Sequence, residues 1–242
     1  MTSSPQMPPT IPAPFRLMCA IDATWPAAEM RTFAGWVLRR GAGGGKRVSA
    51  ATGQGDPALA AAEMAAMAQP AIFRLQDQAD LDADLAGQGY ALVDPTLLYL
   101  CQVADLDDGR DETAKVIRCT TQLSRIEEIW DQGGIGPARR AVMARAEGPG
   151  LVLLARAGDR PAGCAFIACD GEIAMIHAIE VLPAFRRQGI GERLLRGAAS
   201  FSAENGATWL GLAVTEANAP ANALYRKLGM EEAGRYHYRI KE

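Results

Sequence analysis

Val181-Leu182-Pro183-Ala184-Phe185-Arg186-Arg187-Gln188-Gly189-Ile190-Gly191 reads as the end of a strand, a glycine-punctuated loop and the opening of a helix. Gly189 and Gly191 carry no side chains, so an anion can come close to the backbone there. The helix that follows presents unpaired N–H groups and the positive end of its dipole. Together these features make a pyrophosphate site, with Arg186, Arg187 and Arg193 adding positive charge. Two other glycine motifs do not fit. A dinucleotide-binding fingerprint needs a third glycine where Leu194 stands, and Gly43-Gly44-Gly45-Lys46 is followed by Arg47 instead of the Ser or Thr of a P-loop.

Working outward, residues from Val116 onward give strand, two helices, three strands, helix, strand, helix, strand. Val116 to Thr120 is the first strand, and helices cover Gln122 to Trp130 and Ala138 to Ala146. Leu151 to Arg156, Gly163 to Cys169 and Ile173 to Val181 are strands joined by tight turns. Gly191 to Glu204 is helical and Thr208 to Val214 is a strand. Asn218 caps a helix ended by Gly229, and Arg235 to Ile240 closes the order. The expected fold is mixed α/β, with a mainly antiparallel central sheet flanked by helices.

Four stretches of this region resemble the GNAT superfamily of acetyl-CoA-dependent N-acetyltransferases. They are Ile179-Glu180-Val181-Leu182-Pro183, Arg186 to Gly191, Leu212-Ala213-Val214 with Asn218, and Ala223-Leu224-Tyr225-Arg226-Lys227-Leu228-Gly229-Met230. The resemblance covers roughly residues 113–242 and implies acetyl-CoA as acyl donor. It implies that Ile179, Glu180 and Val181 bind the pantetheine arm as an added strand. Arg186, Arg187, Gln188, Gly189, Ile190, Gly191 and Glu192 would hold the pyrophosphate, and Asn218 the arm. The N–H near Ile179 would face the acyl oxygen. Tyr225 stands where the family keeps a tyrosine that protonates the departing thiolate. A glutamate that some members use as base is replaced by Ala213. The resemblance points next to His177, whose strand alternation would place it on the face of Ile179 and Val181, away from Glu180. Glu180 and Glu216 remain alternatives, as does a water chain.

The implied function is transfer of an acetyl group to a primary amine, on a small molecule or a peptide, by direct attack in a ternary complex. The alternative is a non-catalytic acyl-CoA sensor or a partner-binding module. The acceptor is not readable.

Composition bounds the rest. The 242 residues allow one large or two compact domains, and the formal charge of −3 argues against nucleic-acid or membrane-surface partners. The five cysteines form no C-x-x-C pair and there are two histidines, so free thiols, no metal site and a cytoplasmic location are expected. A second copy of the chain is a candidate partner. Residues 1–14 carry five prolines and read as a disordered tail. An acidic stretch at 104–112 marks a boundary between a smaller α/β domain, 15–112, and an acetyltransferase domain, 113–242. The smaller domain resembles the front half of tandem GNAT proteins. There Gly53-Gln54-Gly55-Asp56-Pro57 takes the place of the pyrophosphate loop, and Asp56 would repel phosphate. This half would then shape the substrate side or extend the sheet. Trp36, Arg39, Lys46, Arg47 and Ser49 cluster around an expected hairpin of Gly35–Arg40 with Lys46–Ala51. They face either a ligand or partner, or solvent.

Overall fold

The computed structural model describes residues 10–107, 115–121 and 123–241. The amino-terminal half runs α1 (Pro14–Thr24), β1 (Glu29–Phe33), β2 (Trp36–Arg40), β3 (Thr52–Gly53), α2 (Pro57–Ala66), β4 (Ile72–Leu75), α3 (Ala79–Gly87), β5 (Ala91–Gln102) and the short α4 (Val103–Leu106). The remainder runs β6 (Val116–Cys119), α5 (Ser124–Gln132), α6 (Pro137–Met143), β7 (Gly150–Ala157), β8 (Arg160–Asp170), β9 (Ile173–Val181), α7 (Ile190–Glu204), β10 (Trp209–Thr215), α8 (Ala219–Lys227) and β11 (Glu231–Ile240). Most of the proposed tail, residues 1–9, and the core of the acidic boundary, residues 108–112, lie outside the described residues.

Helix α1 has no counterpart in the sequence reading, because its proline-rich approach masks the start. Pro14 occupies the first turn, where its missing N–H costs nothing. Leu17, Met18, Ala20 and Ile21 are buried on one side of β8 and β9, and Arg16 ties the helix to Asp170 at 2.6 Å. The expected hairpin is also different. Lys46–Val48 forms a 3-10 turn, and β2 pairs instead with β1 before it and with β3.

Eight strands make one sheet in the order β4-β11-β5-β10-β9-β8-β7-β6. The expected mixed, mainly antiparallel sheet is present, and it runs through both halves of the chain. β5 pairs antiparallel with β10 and β11, and β11 pairs antiparallel with β5 and β4. The units β4–α3–β5 and β10–α8–β11 therefore interlock. The second strand of each lies between both strands of the other. The amino-terminal half thus extends the sheet and completes the core.

Two irregularities position the site. β9 and β10 are parallel and pair only at Trp209↔Ile173, Leu210↔Ala174 and Gly211↔Met175. Beyond Gly211 they part, leaving a gap at their carboxyl ends. Within β9 the ladder to β8 slips between Cys164↔Glu180 and Phe166↔His177. Ala178 absorbs the extra residue with φ +51°, and its carbonyl accepts a 2.8 Å hydrogen bond from the indole of Trp130, which is fully buried. This bulge inverts the alternation. His177 shares a face with Glu180, and Ile179 and Val181 lie on the other. The sequence-based face assignment fails here because Ala178 carries none of the punctuation that signals a bulge.

Candidate active site

The loop before α7 forms as its glycines require. Gly189 is the helix N-cap, left-handed at φ +76°, and Arg187 precedes it at φ +63°. No side chain caps α7, so the N–H groups of Ile190, Gly191 and Glu192 have no intrahelical acceptor. Arg186 folds back, its Nε donating to the carbonyl of Val181 at 3.1 Å and its Nη2 standing 3.4 Å from Glu180. Glu192 points along the helix to Arg196 at 3.2 Å, which offsets its charge beside an anion site.

These groups line a cleft of 690 Å³ between α7 and α8. The structure brings Ile179, Glu180, Val181, Arg186, Arg187, Gly189, Ile190, Gly191, Glu192, Asn218 and Tyr225 together on its walls. Gln188 is not among them, because its side-chain amide is turned to the carbonyl of Ala184 at 3.0 Å. Lys227 and Leu224 also line the cleft. The sequence reading passed over both, although they stand beside Tyr225. A Cβ on Gly191 would stand 2.9 Å from Leu224 Cδ2, so Leu224 must shift to admit a side chain, which would then stand in the anion's approach. Gly191→Val is expected to weaken coenzyme A about tenfold, or by about 1.4 kcal/mol, in calorimetric titration.

A second cavity, of 410 Å³, adjoins the first and shares Ile179, Asn218 and Tyr225 with it. Tyr225 is thus the hinge between the two spaces. It is buried at 6 % exposure, with its ring 5.5 Å from that of Tyr99. Burial and neighbouring Tyr99 push its phenol up to about 12. Asn218 caps α8, its side chain accepting from Ala221 N at 3.3 Å, and so fixes the helix that presents Tyr225.

His177 lines the second cavity, not the first. It is 3 % exposed and tilts against Trp25, with ring centroids 5.1 Å apart. Its Nε2 lies 2.8 Å from Thr24 Oγ1 and its Nδ1 3.4 Å from Arg47 Nη1. The Thr24 hydroxyl donates to Ala20 O, and Arg47 can only donate. The consistent tautomer therefore carries its proton on Nε2, and both ring nitrogens are engaged. Burial, and then the charge of Arg47, hold the imidazole well below its ordinary pKa.

That depression makes stability depend on pH. Below pH ~6.5 the unfolded chain gains a proton at His177 that the folded chain refuses. Stability should therefore fall as pH drops below that value. His177→Gln should remove this part of the slope in urea melts at pH 5 to 7.

In the amino-terminal half, the start of α2 is closed by its own residues. Asp56 caps α2 itself, its carboxylate accepting from Ala58 N at 2.8 Å. Trp36 packs so closely on Gly55 that a Cβ there would meet the indole nitrogen at 2.7 Å. Trp25, Arg47 and Asp94 from this half instead line the second cavity. All five cysteines are free. Among the described residues no group of three or more His, Cys, Asp or Glu side chains is placed to hold a metal ion, and no helix is long and apolar enough to cross a membrane.

Residues 119–230 match the model of the acetyltransferase (GNAT) family. A 59-residue stretch is 49% identical to streptothricin acetyltransferase of Streptomyces lavendulae, covering 24% of this chain and 31% of that protein. The chain spans less than half the length of the curated relatives it matches, 31% and 40%. A GCN5-related N-acetyltransferase from Kribbella flavida has the same fold over 93% of this chain and 94% of its own, at 21% identity and a TM-score of 0.68. A tandem GNAT protein of the clavulanic acid biosynthesis pathway aligns over 86% of this chain and 77% of its own, at 14% identity and a TM-score of 0.54. The sheet with its parted strands, the glycine loop at α7 and the family match agree: residues 119–230 form a domain of the acetyltransferase (GNAT) family.

Proposed function

We propose that the protein transfers an acetyl group from acetyl-CoA to a primary amine by direct attack. The observation that carries this reading is the junction of the two cavities at Ile179, Asn218 and Tyr225. The donor occupies the 690 Å³ cleft, with its pyrophosphate at the start of α7 and its pantetheine arm along the parted edge of β9. The acceptor occupies the 410 Å³ cavity. The bulge takes Ile179 out of one-to-one pairing with β8, and its N–H serves as donor to the acyl oxygen. A C–N bond forms as the C–S bond breaks, Tyr225 gives its proton to the sulfur, and the amine's proton leaves through water.

Tyr225 is protonated at all physiological pH values, so the acid is always loaded. Its transfer to a thiolate of pKa ~8.5 is uphill by about 5 kcal/mol. The same burial that raises the phenol also raises the thiolate formed beside it, which narrows that gap. His177, with both nitrogens engaged, positions Arg47 in this reading and takes no proton. The amine loses its proton to solvent, consistent with Ala213 standing where some relatives carry a base.

We also propose that the amino-terminal half is a degenerate copy of the acetyltransferase domain, supported by the interlocked strand–helix–strand units. Its β3 leads through Gly53 to Asp56 into α2, as β9 leads into α7, but Asp56 and Trp36 fill the anion place.

The test is release of free thiol from acetyl-CoA by the purified protein across a broad panel of amines. Turnover supports the reading. Tight coenzyme A binding with no turnover, unchanged by Tyr225→Phe, supports an acyl-CoA sensor instead, the reading that the missing base at Ala213 favours.

A further inference from the structure

The second cavity holds more positive charge than its surroundings answer. Behind its wall, Asp22 bridges Arg39 at 2.6 Å and Arg74 at 2.9 Å. Both guanidinium groups are buried, at 4 % and 5 % exposure. Arg74 lies over the ring of Tyr236, 6.0 Å from its centroid, and Tyr236 and Tyr238 form part of the cavity wall. Arg47 stands beside those two tyrosines and lines the cavity too. Among the described residues it has no carboxylate partner, and its Nε is buried with no hydrogen-bond partner. Three guanidinium groups therefore share one carboxylate. At the mouth, Lys46 and Asp94 pair at 2.9 Å and cancel. Arg139 lies against the backbone of Gly45, lines the cavity and makes no ion pair among the described residues.

A guanidinium with no carboxylate opposite it and a buried donor without a partner is costly to keep in a partly buried wall, even beside two tyrosine hydroxyls, unless an anion completes it. A guanidinium offers a fork of donors shaped for a carboxylate or phosphate. Arg47 is also braced from behind by Nδ1 of His177, so its orientation is set before a ligand arrives. A cationic acceptor would meet repulsion at this wall.

We infer that the acceptor amine carries an anionic group, a carboxylate or a phosphate, which Arg47 and Arg139 hold while the amine reaches Tyr225 and Ile179. The inference rests on the acetyltransferase reading above and names the acceptor class of that site. At 410 Å³ the cavity suits a small amino acid or aminoalkyl phosphate.

The experiment measures kcat/KM with acetyl-CoA for matched acceptors. Amino carboxylates are paired with their carboxamides, and aminoalkyl phosphates with the parent amino alcohols. One anionic series is expected to exceed its neutral twins by about 10- to 100-fold, the worth of a charge-assisted hydrogen bond, and the better series identifies the group. Arg47→Gln should bring that ratio toward one, mainly through KM. Arg139→Gln, an exposed position that leaves the core intact, should lower it by a smaller factor. Equal or faster turnover of the neutral twins, or of diamines, overturns the inference.

Binding of the same compounds to the protein saturated with coenzyme A, read by thermal shift, separates the two claims. Arg47-dependent binding of the anionic series without turnover upholds the anion site and defeats the acetyltransferase reading. Turnover of amines with no preference for the anionic series does the reverse. Absence of both binding and turnover for every anionic compound overturns the inference.

Discussion

Tyr225→Phe is expected to lower kcat by about 10²- to 10⁴-fold, the usual worth of a positioned general acid, and to leave coenzyme A affinity near that of the parent protein. The ring of Tyr225 fills the junction of the two cavities, and phenylalanine keeps that ring. Only the hydroxyl is lost, and with it the proton for the departing sulfur. The pH profile gives a second check. With its phenol pushed up to about 12, Tyr225 stays protonated throughout the working range. Rate should therefore rise with pH as an alkyl amine of pKa ~10.4 is freed, with no falling limb from the tyrosine before pH 10. Stopped-time thiol release at saturating acetyl-CoA reads both effects. A Tyr225→Phe protein with unchanged kcat would remove the tyrosine from the chemistry.

Asp22→Ala should produce the largest loss of stability of any single change near the site. It leaves Arg39 and Arg74 buried with no counter-charge. Breaking a buried pair by removing one partner costs about 3–5 kcal/mol. The carboxylate of Asp22 keeps some solvent contact, with 23% of its side chain exposed, so the lower end is expected. For a chain of this length that lowers Tm by roughly 6–12 °C.

The pH dependence follows from the same pair. Burial by itself would raise the carboxyl's pKa, but Arg74 and Arg39 outweigh it and hold the group below its ordinary value. The pair's contribution is therefore complete above pH ~3.9 and is lost as pH falls through the lower folded value. Thermal melts of the two proteins should differ at neutral pH and converge in acid. Asp22→Asn, which keeps the shape and loses the charge, should fall between them.

The residues decided much of this protein by local rules. Gly189, Gly191 and the amphipathic helix after them could form little other than a strand-loop-helix with an open N-terminus. The order of elements from Val116 onward followed from periodicity and turn residues, as did Asn218 capping the helix that carries Tyr225. Such features depend on neighbours within a few residues, and the chain states them directly. What the tertiary structure decided depends on partners far away in sequence. The alternation of β9 predicted His177 beside Ile179. The bulge at Ala178 reversed that, and it is held by Trp130, whose indole lies 48 positions away. The insertion of β5 between β10 and β11 is a choice of pairing partner, which periodicity within a strand does not encode. Arg47, noted in the sequence only as part of a basic hairpin, became a wall of the second cavity because α1, β9 and β11 converge on it. Local conformation is set by the backbone's own sterics and hydrogen bonds, whereas register, burial and charge balance are set by what the fold brings alongside.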